Sequence, residues 1–348
     1  MKKLCLVVVL ALVLNLLPAV SLEARAEETL VVYNWYDYID EAVLDQFEAE
    51  TGIKVKYVCF TTNEEMYVKL TAGASNYDVL FPSDYVIERM LKEDMLAELD
   101  YSLLPNAAGL LDWLKDTDYD PENKHSVPYM WGTVGILYNT EYVDGDVTSW
   151  QSLFDPQYQD DVFMLDSIRD GIGTALKALG YSLNTRDEEA LEAAKQLLIQ
   201  QKKDGIVQGY MVDEVKDKMI GGEAALALMW SGDAMYSIME NDSLKYVIPE
   251  EGSNVWVDAM CIPKTSQHIE AAHKFIDFMC RPDIAYQNFE YIYYCTPIAE
   301  VFNDMMDEEE KSYSGLNPSD EEIARCEFFH DITEYMDIYD KIWMDIRA

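Results

Sequence analysis

Three short stretches of the chain pair an indole with a carboxylate: Trp35 with Asp37, Trp230 with Asp233, and Trp256 with Asp258. Each falls where an apolar, strand-like run ends. Together they suit an organic cation with an alkyl stem, of which a diamine is the simplest. Its ammonium ends call for carboxylates, which make charge-assisted hydrogen bonds. Its methylenes call for apolar walls, and Trp and Tyr faces add about 0.5–2 kcal/mol per good cation contact. Taken singly, any of these pairs also reads as a core tryptophan beside a capping aspartate. Three of them at strand ends weaken that reading for the set.

Patterns for catalysis are thin. The four histidines are His125, His268, His273 and His330. No HExxH occurs, and the step from His268 to His273 puts the two on different helix faces. There is no G-x-S-x-G and no glycine-rich phosphate loop. A carboxylate pair would serve glycoside hydrolysis, but among 65 acidic residues such pairs arise by chance. Tyr293-Tyr294 suggests ferric iron ligation, against the reading that one tyrosine lines a cleft and the other packs. No metal or cofactor is expected.

The elements that must carry these residues alternate. Leu30 to Tyr33 reads as a buried strand. Asp40 is placed to cap a helix with Val43, Leu44 and Phe47 on one face, ended by Gly52. Ile53 to Cys59 alternates as a strand. Asn63 is placed to cap a helix with Met66, Tyr67 and Leu70 inward, and Val79 to Phe81 is a third strand. This β-α-β-α-β order implies a parallel sheet, whose crevice lies beyond the carboxyl ends of its strands. Trp35-Tyr36-Asp37-Tyr38 and Pro82-Ser83-Asp84-Tyr85 fall there. Further on, 127–139 reads as an extended crossover and 161–166 as a strand leading into a helix from about Arg169. Thr185-x-x-Glu188 reads as a capping box for a helix with Leu191, Ala194 and Leu198 inward. Residues 223–230 form an apolar run and 255–263 a strand. A helix over about 266–280 should turn Ile269, Ala272, Ile276 and Met279 to one face. Residues 303–322 read as an acidic surface loop, and about 331–346 as a final amphipathic helix.

Composition sets outer bounds. With 348 residues, 49% of them hydrophobic, the chain has ample material for two domains or one large one. A net charge of −39 makes nucleic acid a poor partner. It would draw a cation in, though the same charge also serves plain solubility. Residues 1–26 read as a cleaved signal peptide: Lys2 and Lys3, an apolar run from Leu4 to Leu17, Pro18, then Ala24-Arg25-Ala26. Cys5 lies too early for lipid attachment. The five cysteines beyond it, Cys59, Cys261, Cys280, Cys295 and Cys326, are too few and too widely spaced for a disulfide scaffold or a zinc pattern. They read mostly as buried small hydrophobes, with one disulfide left open.

At these residues the chain resembles the periplasmic spermidine/putrescine-binding proteins of ABC transporters. The resemblance is carried by YNWYDYIDEAVLDQFEAETGIKV (33–55), YDVLFPSDYVIERM (77–90), VPYMWGTVGILYN (127–139), ALMWSGDA (227–234), VWVDAMCIP (255–263) and FMCRPDIA (278–285). It implies a two-lobe α/β fold of the type II periplasmic-binding-protein kind, with a ligand cleft between lobes. Lobe one would take 27–134 with 258–304, and lobe two 135–257 with 305–348. It further implies a monomer in the periplasm that closes on a small polyamine and docks on a membrane ABC permease, with no reaction catalysed. Carried over residue by residue, Trp35, Tyr36, Asp37, Tyr38, Ser83, Tyr85, Ser167, Asp170, Trp230, Asp233, Trp256, Asp258 and Tyr294 would line the cleft. Asp258 would hold an ammonium, and Trp230 and Trp256 would flank the methylenes.

The chain also departs from the pattern. Ser167 stands where spermidine binders have aspartate, Asp170 where they have glutamate, and Phe329 near a position of glutamine. Asp233 stands where putrescine-preferring members carry aspartate. These departures lean the expectation toward putrescine. The competing expectations are a binder of iron or a sugar, and a secreted hydrolase.

Overall fold

The computed structural model describes residues 29–73 and 76–348. The leader expected at 1–26 lies outside the described residues. The chain begins with β1 (Thr29–Trp35), α1 (Glu41–Thr51), β2 (Lys54–Phe60), α2 (Asn63–Thr71), β3 (Val79–Leu80) and α3 (Asp84–Lys92). β1 pairs in parallel with both β2 and β3, as the alternating order requires. Asp40 caps α1 by accepting from the Ala42 amide, and Gly52 ends the helix at φ 72°, a left-handed conformation that glycine adopts without strain.

β4 (Ser126–Asn139) is 14 residues long and buried throughout. Its near-continuous apolar run is what a central strand covered on both faces requires. The elements after it are β5 (Val162–Leu165), α4 (Ile168–Ala178), α5 (Glu188–Lys203), β6 (Val207–Met211), α6 (Glu214–Ile220), β7 (Leu226–Trp230), α7 (Ser231–Glu240), β8 (Leu244–Val247) and β9 (Val255–Cys261). Then come α8 (Ile269–Met279), α9 (Pro282–Ile292), α10 (Asp320–Ala324) and α11 (Met336–Arg347). The strand order is β2-β1-β3-β9-β4-β7-β5-β6, with β8 also on β4.

β4 divides its partners along its length. Ser126 to Thr133 runs antiparallel to β9, with a register shift between Pro128 and Met130, where proline has no N–H to offer the ladder. Val134 to Tyr138 pairs with β7, and Ile136 to Asn139 with β8. One buried cluster, with Tyr33, Phe60, Leu80, Ile87 and Val257, belongs to the first half of the sheet. Another, with Val134, Leu165, Leu176, Leu198 and Leu228, belongs to the second. The fold is α/β and two-lobed, and β4 and β9 run from one half toward the other.

Several local expectations are corrected. Thr62, not Asn63, caps α2. Asn63 is a buried residue of the first turn, held by the site described below. Asp187, not Thr185, caps α5 by accepting from the Glu189 amide. Ile269 is 39% exposed rather than inward, because α8 starts there and not at Ser266, whose hydroxyl is turned to Asp78. Residues 303–322 are not all loop: Val301–Met305, Glu310–Ser312 and α10 are short helical turns. The final helix starts at Met336, since Asp331 is engaged by Lys92 and by Thr333. All five described cysteines are free.

Candidate functional site

β9 sets the centre. Residues two apart on a strand point the same way, so Trp256 and Asp258 share a face. The Asp258 carboxylate accepts the Ser83 hydroxyl at 2.6 Å. Ser83 lies just before α3 and is fixed in turn by Asn63, whose Nδ2 donates to Ser83 Oγ at 2.9 Å and to the Tyr85 hydroxyl at 3.0 Å. The Asn63 carbonyl takes the Ser83 amide at 3.2 Å. The buried Asn63 amide thus fixes the hydroxyl that donates to Asp258 and ties Tyr85 to the same point.

Aromatic rings close on it. Trp256 meets Tyr294 edge to face at 5.0 Å, and Tyr294 meets Tyr38 at 5.9 Å. Tyr38 packs against Tyr129 at 5.5 Å. Among the described residues, Trp256 Nε1 has no hydrogen-bond partner, and the Tyr38 hydroxyl lies near the Asp258 carboxylate without a well-formed hydrogen bond. Burial pushes the Asp258 carboxyl up to about 6, while the Ser83 and Tyr38 hydroxyls act the other way. Burial also pushes the Tyr38 phenol well up, and the charges of Asp258 and Tyr294 add to that. A carboxylate with so little water is poised for an external cation.

A second group sits at the start of α4. Ser167 caps the helix, and its hydroxyl donates to the Asp170 carboxylate at 2.7 Å. Burial pushes the Asp170 carboxyl up, against the pull of Ser167, the Arg169 charge and the Trp230 indole. Arg169 is itself buried. Its guanidinium lies 4.1 Å over the Phe329 ring and 5.7 Å over Tyr85, and donates to the His330 carbonyl and to Asn184. Arg169 and Phe329 therefore connect the Asp170 group to Tyr85, and Phe329 is a buried stacking surface rather than a polar ligand.

A third carboxylate, Asp233, stands in the first turn of α7. Lys216 of α6 pairs with it at 3.2 Å. Burial pushes the Asp233 carboxyl up, and Lys216 is the largest opposing influence. Tyr294 lies within the fields of both Asp233 and Asp258. It packs so tightly on Gly232 that a Cβ there would stand 2.5 Å from its ring.

The first aromatic stretch is split. Trp35 packs on Phe60 at 4.6 Å and donates its indole N–H to the Phe81 carbonyl at 2.9 Å. Tyr36 is 64% exposed. Asp37 is exposed at φ 48°, and its charge reaches Lys216. Of the thirteen residues singled out, contacts join Tyr38, Ser83, Trp256, Asp258 and Tyr294 in one group, to which Tyr85 is tied through Asn63. Ser167, Asp170 and Trp230 form a neighbouring group. Trp35 is turned into the protein. Asn63, Arg169 and Lys216 were not foreseen: Asn63 read as a cap, and the two cations carry no local pattern.

The chain matches the family of bacterial extracellular solute-binding proteins over residues 42–314. It is 34% identical over 327 residues to the spermidine/putrescine-binding periplasmic protein of Salmonella typhimurium, covering 93% of each chain. It is 33% identical to the putrescine-binding periplasmic protein SpuD of Pseudomonas aeruginosa, covering 89% of each. Among solved structures it is similar to the spermidine/putrescine ABC transporter substrate-binding protein PotD of Streptococcus pneumoniae. That similarity has a TM-score of 0.82 at 36% identity, over 92% of this chain and 98% of that one.

Proposed function

The chain belongs to the bacterial extracellular solute-binding proteins, and from that membership we propose that it captures a small polyamine outside the cytoplasmic membrane and delivers it to the permease of an ABC transporter. It catalyses no reaction. The observation that carries the reading is the buried Asp258 carboxylate, held by Ser83 and walled by Trp256, Tyr294 and Tyr38. Raising an aspartate from 3.8 to about 6 corresponds to about 3 kcal/mol of penalty on its ionised form. An ammonium beside it offsets that penalty, and the rings replace water around the methylenes.

The two ends of a diamine would lie at Asp258 and at Asp170, with Trp230 and Trp256 along the stem. Lobe one, 27–134 with 258–304, and lobe two, 135–257 with 305–348, would close over it by bending where β4 and β9 pass between halves. The protein would act as a monomer after export and loss of residues 1–26. Mass spectrometry of the small molecules released on denaturing purified protein tests this. Putrescine or spermidine at one per chain is the expected result. A sugar, or iron, in that stoichiometry would overturn it.

A further inference from the structure

Lys216 is a cation where the surrounding site is built to take one from outside. It projects from α6 to the Asp233 carboxylate at 3.2 Å, and its Nζ lies 5.8 Å over the Tyr236 ring. Asp233 adjoins Tyr294, which packs edge to face on Trp256. Asp37, from the far half of the sheet, is among the charges that favour the Lys216 ammonium. The lysine side chain ends as a butylammonium, the same chemical group as one end of a linear polyamine. Here it sits against a carboxylate and an aromatic face, which are the partners such an end requires.

We propose that Lys216 supplies the protein's own third ammonium, occupying Asp233 and so restricting the slot to a ligand with two. This deepens the polyamine reading and rests on it. It also changes the reason for a lean toward putrescine. Asp233 does not add free negative charge for the ligand, because Lys216 balances it. A diamine uses Asp258 and Asp170 and leaves Lys216 in place. A triamine of greater length must either displace Lys216 from Asp233 or bring a third ammonium beside it, and both are unfavourable.

The alternative is a purely structural ion pair tying α6 to α7. Titration calorimetry of putrescine and spermidine against the wild type, Lys216→Ala and Lys216→Arg separates the two, with thermal melting to confirm folding. We expect Lys216→Ala to move the ratio of the two dissociation constants toward spermidine by at least about tenfold, and Lys216→Arg to keep the wild-type ratio. Adding Asp233→Asn to Lys216→Ala should cancel the gain, since the vacated carboxylate is then lost. A ratio unchanged within about twofold in Lys216→Ala, while the wild type binds either amine, overturns this inference and leaves the polyamine reading standing. Failure of every variant and the wild type to bind either amine overturns both.

Discussion

At the scale of single residues, the site depends on holding a carboxylate ionised where water is scarce. Asp258 titrates near 6 because burial outweighs the hydroxyls of Ser83 and Tyr38. An ammonium ligand needs the ionised form, so affinity should be flat above about pH 7 and fall by about tenfold per unit below 6. Titrations across pH 4.5 to 8 check this. Asp258→Asn should abolish most of the binding and weaken the dependence, leaving the part that Asp170 contributes. The ligand-free fold has the opposite sign. A folded-state value above the ordinary one makes the protonated group stabilising. That contribution is full below about 3.8 and is lost as the pH rises through about 6. Trp256 and Asp258 were legible as a pair because residues two apart on a strand share a face. By contrast, Trp35 turns inward away from the exposed Asp37, and Trp230 goes to Asp170 rather than Asp233. Lys216 was not legible. The run EVKDK reads as an ordinary charged helix surface, and only the packing of α6 beside α7 brings its ammonium to Asp233.

At the scale of elements, helix starts position the chemistry: Ser83 before α3, Ser167 before α4, and Ser231-Gly232-Asp233 opening α7. Gly232 is required there by space, since any Cβ would strike the Tyr294 ring. Gly232→Ala should displace that ring from Trp256, cost about 1–3 kcal/mol of stability by overpacking and weaken polyamine binding by at least tenfold. Thermal melting and calorimetry read the two effects. Unchanged binding would mean that Tyr294 does not shape the slot. The parallel pairing of β1 with β2 and β3 followed from the alternating pattern, and the stretch read as an extended crossover at 127–139 is β4. Strand order and register depend on long-range pairing that no local pattern carries. The errors were at helix starts and over 303–322, where short helical turns replace the expected loop. Asn63 and Thr185 carry side chains that cap helices elsewhere, but here a neighbour one or two residues away takes the capping geometry. Asn63 is then free to turn inward to Ser83 and Tyr85.

At the scale of the whole molecule, closure must be reversible, and α3 meets the chain around residue 330 in a way that bears on it. Glu88 accepts from the Asp331 amide at 2.9 Å and lies 3.3 Å from His330, while Lys92 bridges Glu88 and Asp331. By the lobe division proposed above, these contacts join lobe one to lobe two at one end of the cleft. Half-exposed ion pairs contribute little each, but a network that forms only on closure acts on the rate of opening. Glu88→Gln should speed polyamine release several-fold in stopped-flow measurements and leave association nearly unchanged. The two-lobe architecture was legible through resemblance to a family. The Glu88–Asp331 contact was not, since nothing local marks residues 243 apart as neighbours.

The central claim is that Asp258 and its ring of aromatics hold the ammonium of a slim organic dication. Calorimetric titration of putrescine into the wild type, Asp258→Ala and Ser83→Ala at pH 7.5 tests it most directly. The account predicts saturable one-to-one binding by the wild type, a loss of at least about a hundredfold in Asp258→Ala, where the ligand's charge is left buried without its partner, and a smaller loss in Ser83→Ala. Binding that survives Asp258→Ala in a folded protein, or equal losses in the two variants, would contradict it.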